Sequence, residues 1–139
     1  LSNHAILEIL LPHFKQNGGK IVFISSLASL YTMPTSVAYS SSKRALNAYA
    51  EGIANKYGSY GVKVVTIMPG FIQSEMTDKN RFHMPFLLST KEGVDRIYKA
   101  IESNKKSYAF PLRFYLIILL FRLLPSFLRE MIIHSKLKK

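Results

Sequence analysis

Three polar side chains have the types and spacing that acid–base chemistry needs. Tyr39 and Lys43 are four residues apart in a segment of helical periodicity, so their side chains would share one helix face. A free tyrosine has a pKa of about 10, and proton exchange at neutral pH requires about 4 kcal/mol of phenolate stabilisation, which a nearby ammonium can provide. A hydroxyl at Ser26 would hydrogen-bond to a substrate oxygen on which negative charge develops. These three residues therefore form a candidate catalytic set.

The Tyr39 and Lys43 spacing by itself is weak support for this set. Eight tyrosines and thirteen lysines in 139 residues would produce the spacing by chance about 0.75 times. The neighbouring segments make the signal specific, because Ser26 ends one apolar run and Pro69-Gly70 ends the next. Ligands of open α/β sheets bind beyond the carboxyl ends of the strands. We therefore expect these residues to meet at one edge of a sheet.

The elements that would position these residues follow from the pattern of apolar residues. Short β-branched runs predict buried strands, longer runs of helical periodicity predict helices, and residues 71–89 predict an irregular loop with one short helix. The β-branched runs are residues 20–26 and 62–68, and residues 107–110 are a candidate for a last short strand. The predicted helices are residues 1–14, 37–57 and a segment from the capping box at 89–92 to about 103. This alternation, without hairpin signals, predicts an α/β fold with a doubly wound parallel sheet.

Three segments resemble the short-chain dehydrogenase/reductase family. They are IVFISSLAS at residues 21–29, YSSSK at 39–43 and PGFIQSEMT at 69–77, and the resemblance covers about residues 1–110. It implies a Rossmann-like fold, of which this chain would be the C-terminal portion of a three-layer α/β/α domain. It also implies an oxidoreductase that transfers a hydride between NAD or NADP and a small carbonyl or alcohol substrate.

The resemblance implies a role for each residue of the catalytic set. The serine that matches Ser26 positions the substrate carbonyl or hydroxyl in the family. The tyrosine that matches Tyr39 is the general acid or base. The lysine that matches Lys43 holds the nicotinamide ribose and lowers the tyrosine pKa, so Tyr39 and Lys43 are expected to contact the cofactor as well as the substrate.

Four further residues match the segment that lies along the nicotinamide in the family. Pro69, Gly70 and Ile72 would contact the ring through backbone and apolar surface. Ser74 stands where the family usually has a threonine bonded to the carboxamide, and it keeps the hydroxyl that this contact needs. These four residues complete the predicted cofactor-binding set.

Two family features have no counterpart in the sequence. The glycine-rich phosphate-binding turn TGxxxGxG is absent, as is the residue that distinguishes NAD from NADP. The family's proton-relay asparagine would fall just before Leu1, so Asn3 is given no catalytic role. Residues 1–14 start in helical periodicity without a capping residue. The chain is thus expected to be the catalytic part of a longer enzyme and to be inactive by itself.

Residues 111–139 are predicted to form a separate, hydrophobic and basic helical tail. Its apolar run at 114–121 lies between Arg113 and Arg122, and Pro125 interrupts the next one. A membrane-spanning helix needs about 20 apolar residues, so none is predicted. Six basic residues against one glutamate give the tail a net charge of +5. Two alternatives remain open: the tail lies on anionic lipid, or it closes the substrate pocket or packs on a partner subunit.

Composition limits the remaining function classes. The absence of cysteine excludes thiol chemistry, and His13 and His134 have no clustered partners, so no metal site is predicted. The net charge of +11 would attract a dinucleotide, anionic lipid or nucleic acid, but no nucleic-acid motif accompanies it. The alternative to an enzyme is a catalytically incomplete basic module that binds membrane lipid or a protein partner.

The sequence also gives expectations about surroundings and substrate. The aliphatic faces of the first segment and of the Tyr39 helix are interpreted as core or, as in many members of the family that the chain resembles, as an oligomer interface, and a homo-oligomer is expected. The predicted location is cytoplasmic, with membrane association through the tail left open. His83, Met84 and Phe86 would line the substrate pocket or belong to an exposed lid loop. A lipid-like substrate would suit the apolar tail.

Overall fold

A computed structural model of the chain describes residues 2–32, 34–74, 77, 84–103 and 105–137. Its main elements are α1 (Ser2–Asn17), β1 (Gly19–Ile24), α2 (Val37–Tyr57), β2 (Val62–Pro69), α3 (Thr90–Glu102), β3 (Ser107–Phe110), α4 (Leu112–Leu123) and α5 (Ser126–Leu137). Short 3-10 turns occupy Leu27–Ser29, Pro34–Ser36 and Gly58–Tyr60. The helix α2 and the strand β3 begin and end at the predicted residues, and the other elements differ from the predictions by a few residues at one end or both.

The three strands form one parallel sheet in the order β1-β2-β3. Gly19 lies opposite Val62 at the start of the first pair, and Pro69 lies opposite Phe110 at the end of the second. Because all three strands run in the same direction, their carboxyl ends lie at one edge of the sheet. The predicted parallel sheet is confirmed.

Helices cover both faces of this sheet. On one face, α1 and α2 bury side chains that include Leu11 and Ile53 against Val64 of β2. On the other face, Ala100 of α3 packs on a cluster that includes Ile67, which has no exposed surface. Successive residues of β2 point to opposite faces, and both faces are apolar because both are covered. The predicted three-layer α/β/α arrangement is therefore confirmed.

The start of α3 has the capping box that the sequence predicts. The Ser89 hydroxyl accepts a hydrogen bond from the Glu92 amide, and the Glu92 carboxylate accepts one from the Ser89 amide at 3.0 Å. The Ser89 hydroxyl also donates to this carboxylate at 2.7 Å. These hydrogen bonds, with the hydroxyl contributing most, lower the pKa of Glu92. The cap fixes where α3 begins, directly after the loop that follows β2.

Two helices of twelve residues each, α4 and α5, make up the described part of the tail. Leu124 between them has extended backbone (ψ 143°) because the following Pro125 disfavours helical geometry in the residue before it. Within the described ranges, no helix has both the length and the hydropathy that crossing a bilayer requires.

Candidate active site

Ser26 lies where the chain leaves β1. The strand ends at Ile24, two residues earlier than predicted, because the chain turns here into the 3-10 helix Leu27–Ser29. The Ser26 hydroxyl caps this helix by accepting a hydrogen bond from the Ala28 amide at 3.1 Å. It also donates to the carbonyl of Pro69 at 3.5 Å. The hydroxyl is therefore held between the carboxyl ends of β1 and β2.

Ser25 connects the end of β1 to its neighbours. Its amide donates to the Ile67 carbonyl at 2.7 Å, and its buried hydroxyl donates to the Lys43 carbonyl at 3.3 Å. Both contacts satisfy backbone groups. Ser25 thus fixes the end of β1 against α2, whereas the neighbouring Ser26 is only half-buried.

Tyr39 and Lys43 lie near the start of α2 and face the same edge of the sheet. The Lys43 ammonium is 5.8 Å from the centre of the Tyr39 ring and donates to the Ile24 carbonyl at 2.9 Å. Tyr39 is 44% exposed, and its hydroxyl has no hydrogen-bond partner in the part of the chain that the structure describes. An ammonium has three donors, so Lys43 keeps further donors for a ligand. The helix thus presents a phenol beside a positive charge at the strand ends.

Two other residues of α2 hold the turn that carries Ser26. Arg44 donates through Nε to the Ser29 carbonyl at 3.0 Å and through Nη2 to the Leu30 carbonyl at 3.2 Å. Asn47 donates through Nδ2 to the Ser29 hydroxyl at 2.7 Å. Sequence reasoning missed both residues. The available signal was that Asn47 is four residues after Lys43 and so shares its helix face.

Pro69 and Gly70 bring α4 close to the end of β2. Pro69 has no amide hydrogen, but it occupies the last position of β2, so no hydrogen bond within the sheet interior is lost. The Gly70 amide donates to the Phe110 carbonyl at 2.7 Å. A Cβ added at Gly70 would lie 3.0 Å from Cδ of Pro111 and 3.2 Å from Cδ1 of Phe114. A glycine therefore allows the start of the tail to pack against this turn.

Ile72 and Ser74 are engaged by the segments around them. The side chain of Ile72 packs on Gly93 of α3, and Ile72 is bridged to Leu88. The Ser74 amide donates to Oγ1 of Thr77 at 2.7 Å, and the Thr77 amide donates to the Ser74 hydroxyl at 3.3 Å. In the described structure, neither Ile72 nor Ser74 hydrogen-bonds to the catalytic set. Their cofactor contacts remain a prediction.

Aromatic side chains gather at the same edge of the sheet, in a group we call the aromatic cluster: Tyr31, Phe71, Phe86, Phe114 and Phe121. Phe71 and Phe114 stack with ring centres 5.7 Å apart, and Phe86 lies 6.1 Å from Phe114. Tyr31 meets Phe121 edge to face at 4.8 Å. One face of α4 therefore packs on the segments that follow β1 and β2.

The aromatic cluster includes one of the predicted pocket residues. Phe86 adopts a left-handed backbone conformation (φ 58°), which is uncommon for an aromatic residue. Met84 is half-buried, and His83 lies outside the described residues. Burial raises the pKa of the Tyr31 phenol, with the Arg129 guanidinium acting in the opposite direction. Apart from the apolar character of the tail, no specific signal in the sequence identified Phe114 and Phe121.

Comparisons with known proteins match this arrangement in sequence. The profile of a family described as short chain dehydrogenase matches residues 3–85, which include the catalytic set and the segment through Ser74. An uncharacterised oxidoreductase of Myxococcus xanthus is 36% identical over 108 residues, or 77% of this chain and 43% of that protein. An 11-beta-hydroxysteroid dehydrogenase-like protein 2 of Arabidopsis thaliana is 36% identical over 94 residues, or 66% of this chain and 30% of that protein. The chain therefore spans less than half the length of these relatives.

A solved structure matches in three dimensions. The crystal structure of a short chain dehydrogenase from Burkholderia cenocepacia in complex with NADP aligns with a TM-score of 0.65 at 27% identity. The alignment covers 74% of this chain and 42% of that one. The similarity thus extends over most of this chain and over less than half of the solved protein.

Proposed function

This chain belongs to the short-chain dehydrogenase family, and we propose that the protein containing it transfers a hydride between NAD or NADP and a carbonyl or alcohol. The observation that carries this proposal is the Lys43 ammonium, held at the end of β1 with its nitrogen 5.8 Å from the centre of the Tyr39 ring. The NADP bound to the Burkholderia cenocepacia relative supports the same cofactor class. When bound, the nicotinamide supplies or accepts the hydride.

The residues present fit the nicotinamide and ribose half of such a cofactor. Lys43 has spare donors, and the Tyr39 hydroxyl has no hydrogen-bond partner among the described residues, so both can hydrogen-bond to sugar hydroxyls. Pro69 and Gly70 form the turn directly after β2, at the edge where parallel sheets bind ligands. In this proposal Ile72 contributes backbone contacts, because its side chain packs on α3. The glycine-rich turn that binds phosphates in the family has no counterpart in this sequence.

Tyr39 would move the proton in this reaction. In the direction of reduction, its phenolic oxygen gives a proton to the substrate oxygen while the carbonyl carbon is reduced, and the product is an alcohol. The Ser26 hydroxyl would donate to the same substrate oxygen, and its present hydrogen bond to Pro69 is long at 3.5 Å and easily exchanged. The oxidation of an alcohol uses the same groups in reverse.

We propose an apolar, lipid-like substrate for this site. The aromatic cluster lies at the edge of the sheet where the catalytic set stands, and offers ring faces rather than charges. The name of the Arabidopsis thaliana relative points to a steroid, which is a substrate of this class. The alternative of a basic module without catalysis is not favoured, because the chain retains the catalytic set and belongs to an oxidoreductase family.

We also propose that the protein is a homo-oligomer. Three aliphatic side chains of α1 are exposed, Ile6 by 56%, Ile9 by 80% and Leu10 by 43%, and two of them, Ile6 and Leu10, line a groove beside β1. Apolar faces of this kind commonly mark contacts between subunits. A cytoplasmic location remains a prediction.

The decisive experiment is an assay of the full-length protein. Oxidation of NADH and NADPH is measured with aldehydes and ketones of increasing apolar length, for the wild type, Tyr39→Phe and Tyr98→Phe. Tyr98 is the matched control because it is a tyrosine on α3 that is 64% exposed. Loss of the proton donor should lower kcat by about 10²- to 10⁴-fold in Tyr39→Phe alone. Unchanged activity of Tyr39→Phe would contradict the mechanism.

A further inference from the structure

The outward faces of α4 and α5 expose many apolar side chains, which we call the tail surface. They are Leu112, Leu116, Ile117, Leu120 and Leu123 on α4, and Phe127, Met131 and Ile132 on α5, with exposures from 37% to 81%. The four leucines on α4 recur every three or four residues and so form one stripe along the helix. Large exposed apolar patches on folded proteins mark interaction sites or membrane contacts.

The tail surface is what remains after α4 has packed on the rest of the protein. Phe114 and Phe121 of this helix face inward, where they pack against Phe71 and Tyr31 of the aromatic cluster. A helix that is apolar on all sides is normally buried on all sides. In this protein one side of α4 is buried and the opposite side, which belongs to the tail surface, is exposed. An apolar partner outside the described structure is therefore needed to cover the tail surface.

The charges around the tail surface indicate what that medium is. Arg113 and Arg122 are exposed near the two ends of α4, and residues 111–139 contain a single acidic residue, Glu130. Across the described ranges, the only acid–base pair closer than 4 Å is that of His4 and Glu8 on α1, at 3.9 Å. The tail arginines therefore have no acidic partner there. A partner that covers the tail surface must therefore supply negative charge for the arginines and apolar groups for the leucines.

A second copy of the chain does not meet both conditions. Two tail surfaces placed face to face would oppose segments that each carry a net charge of +5. An anionic bilayer supplies acyl chains for the leucines and phosphates for the arginines. The helix α4 is about 18 Å long, against about 30 Å for the hydrocarbon core, so it fits along the membrane surface and not across it.

We propose that the tail surface docks on the surface of an anionic lipid bilayer. The exposed leucines of α4 insert at the boundary between headgroups and acyl chains, and Arg113 and Arg122 contact headgroup phosphates. The aromatic cluster lies on the opposite side of α4, so docking places the candidate active site close to the bilayer. The docking does not depend on catalysis and can be tested separately from it.

Vesicle sedimentation with the full-length protein tests this proposal. Vesicles of phosphatidylcholine alone are compared with vesicles that also contain phosphatidylserine. One variant combines Leu116→Ser with Leu120→Ser, and another combines Arg113→Gln with Arg122→Gln. Matched controls on α3 combine Val94→Ser with Tyr98→Ser, both more than half exposed, and Lys91→Gln with Lys99→Gln.

The wild type should bind the anionic vesicles more tightly than the neutral ones. The variant that lacks both arginines should bind about 25-fold more weakly than the wild type, which is about fivefold for each charge removed. Added salt should reduce this difference between the variant and the wild type. The leucine pair should weaken binding by more than about tenfold. The control pairs on α3 should stay within about twofold of the wild type. The variant Tyr39→Phe should bind as the wild type does, whatever its activity.

Two results would overturn the proposal. One is binding that is equal for neutral and anionic vesicles, or that the leucine pair leaves unchanged. The other is a wild type that binds no vesicles but self-associates in a way that the leucine pair abolishes, since a second copy would then cover the surface. A circular dichroism spectrum and melting temperature equal to those of the wild type show that each variant is folded.

Discussion

Gly93 is the point at which α3 comes closest to the segment that follows β2. A Cβ added there would lie 2.7 Å from Cδ1 and 2.8 Å from Cγ2 of Ile72. The Cδ1 end of an isoleucine can rotate away, but Cγ2 is bonded to Cβ and moves only when χ1 or the backbone changes. Because the bridge to Leu88 also restrains Ile72, Gly93→Ala should displace part of the predicted cofactor-binding segment.

Two opposing effects set the size of this perturbation. Alanine is favoured over glycine in a helix interior by about 1 kcal/mol. An overlap of this kind in a packed region costs about 1 to 3 kcal/mol. Gly52 in α2 separates the two effects, because a Cβ there meets nothing within 4 Å. Gly52→Ala should therefore raise the free energy of unfolding by about 1 kcal/mol. The free energy of unfolding of Gly93→Ala should be about 1 to 3 kcal/mol lower than that of Gly52→Ala.

Urea denaturation of the full-length protein measures both variants. In an Ile72→Ala background the clashing atoms are absent, so the gap between Gly93→Ala and Gly52→Ala should close. Displacement of Ile72 should also raise the KM for the dinucleotide in Gly93→Ala but not in Gly52→Ala. Equal stabilisation by the two alanines in the wild-type background would refute the close contact between Gly93 and Ile72.

Three other substitutions, with Val94→Ala as a control, test the fold. Ser89→Ala removes the helix cap and should lower the free energy of unfolding by about 1 kcal/mol in urea denaturation. The pKa of Glu92 is lower in the folded state than in the unfolded state, so its ionised form stabilises the protein at neutral pH. The difference in free energy of unfolding between the wild type and Glu92→Gln should therefore shrink as the pH falls through the folded-state pKa of Glu92. Ile67→Ala, at a site with no exposed surface, should cost about 2 to 5 kcal/mol, whereas Val94→Ala, 57% exposed, should cost little in the same assay.

The strands and α2 could be predicted because their signals are local. The continuous β-branched run of β2 produced a strand that is covered on both faces, and the sequence from Val37 to Tyr57 produced one helix with the expected ends. The capping box at Ser89 needed only residues three positions apart. Such features depend on neighbours along the chain, and these are visible in a single sequence.

Boundaries at the site were harder to predict because distant segments determine them. The strand predicted to reach Ser26 ends at Ile24, where the Ser25 and Ser26 hydroxyls bond to Lys43 and Pro69. The partners are 18 and 43 residues away in sequence. A pattern of apolar residues contains no information about such hydrogen bonds.

The residue types of the catalytic set, and their order along strand, helix and strand, were determined by the sequence alone. Spacing placed Tyr39 and Lys43 on one helix face, and the family motifs identified Ser26 as their companion. Only the tertiary structure decided that the Lys43 ammonium reaches the Ile24 carbonyl, that Ile72 turns toward α3, and that α4 packs on the aromatic cluster while its opposite face stays exposed. The reason is physical: periodicity specifies which side of an element is apolar, but the close packing of elements far apart in sequence decides which apolar side is buried.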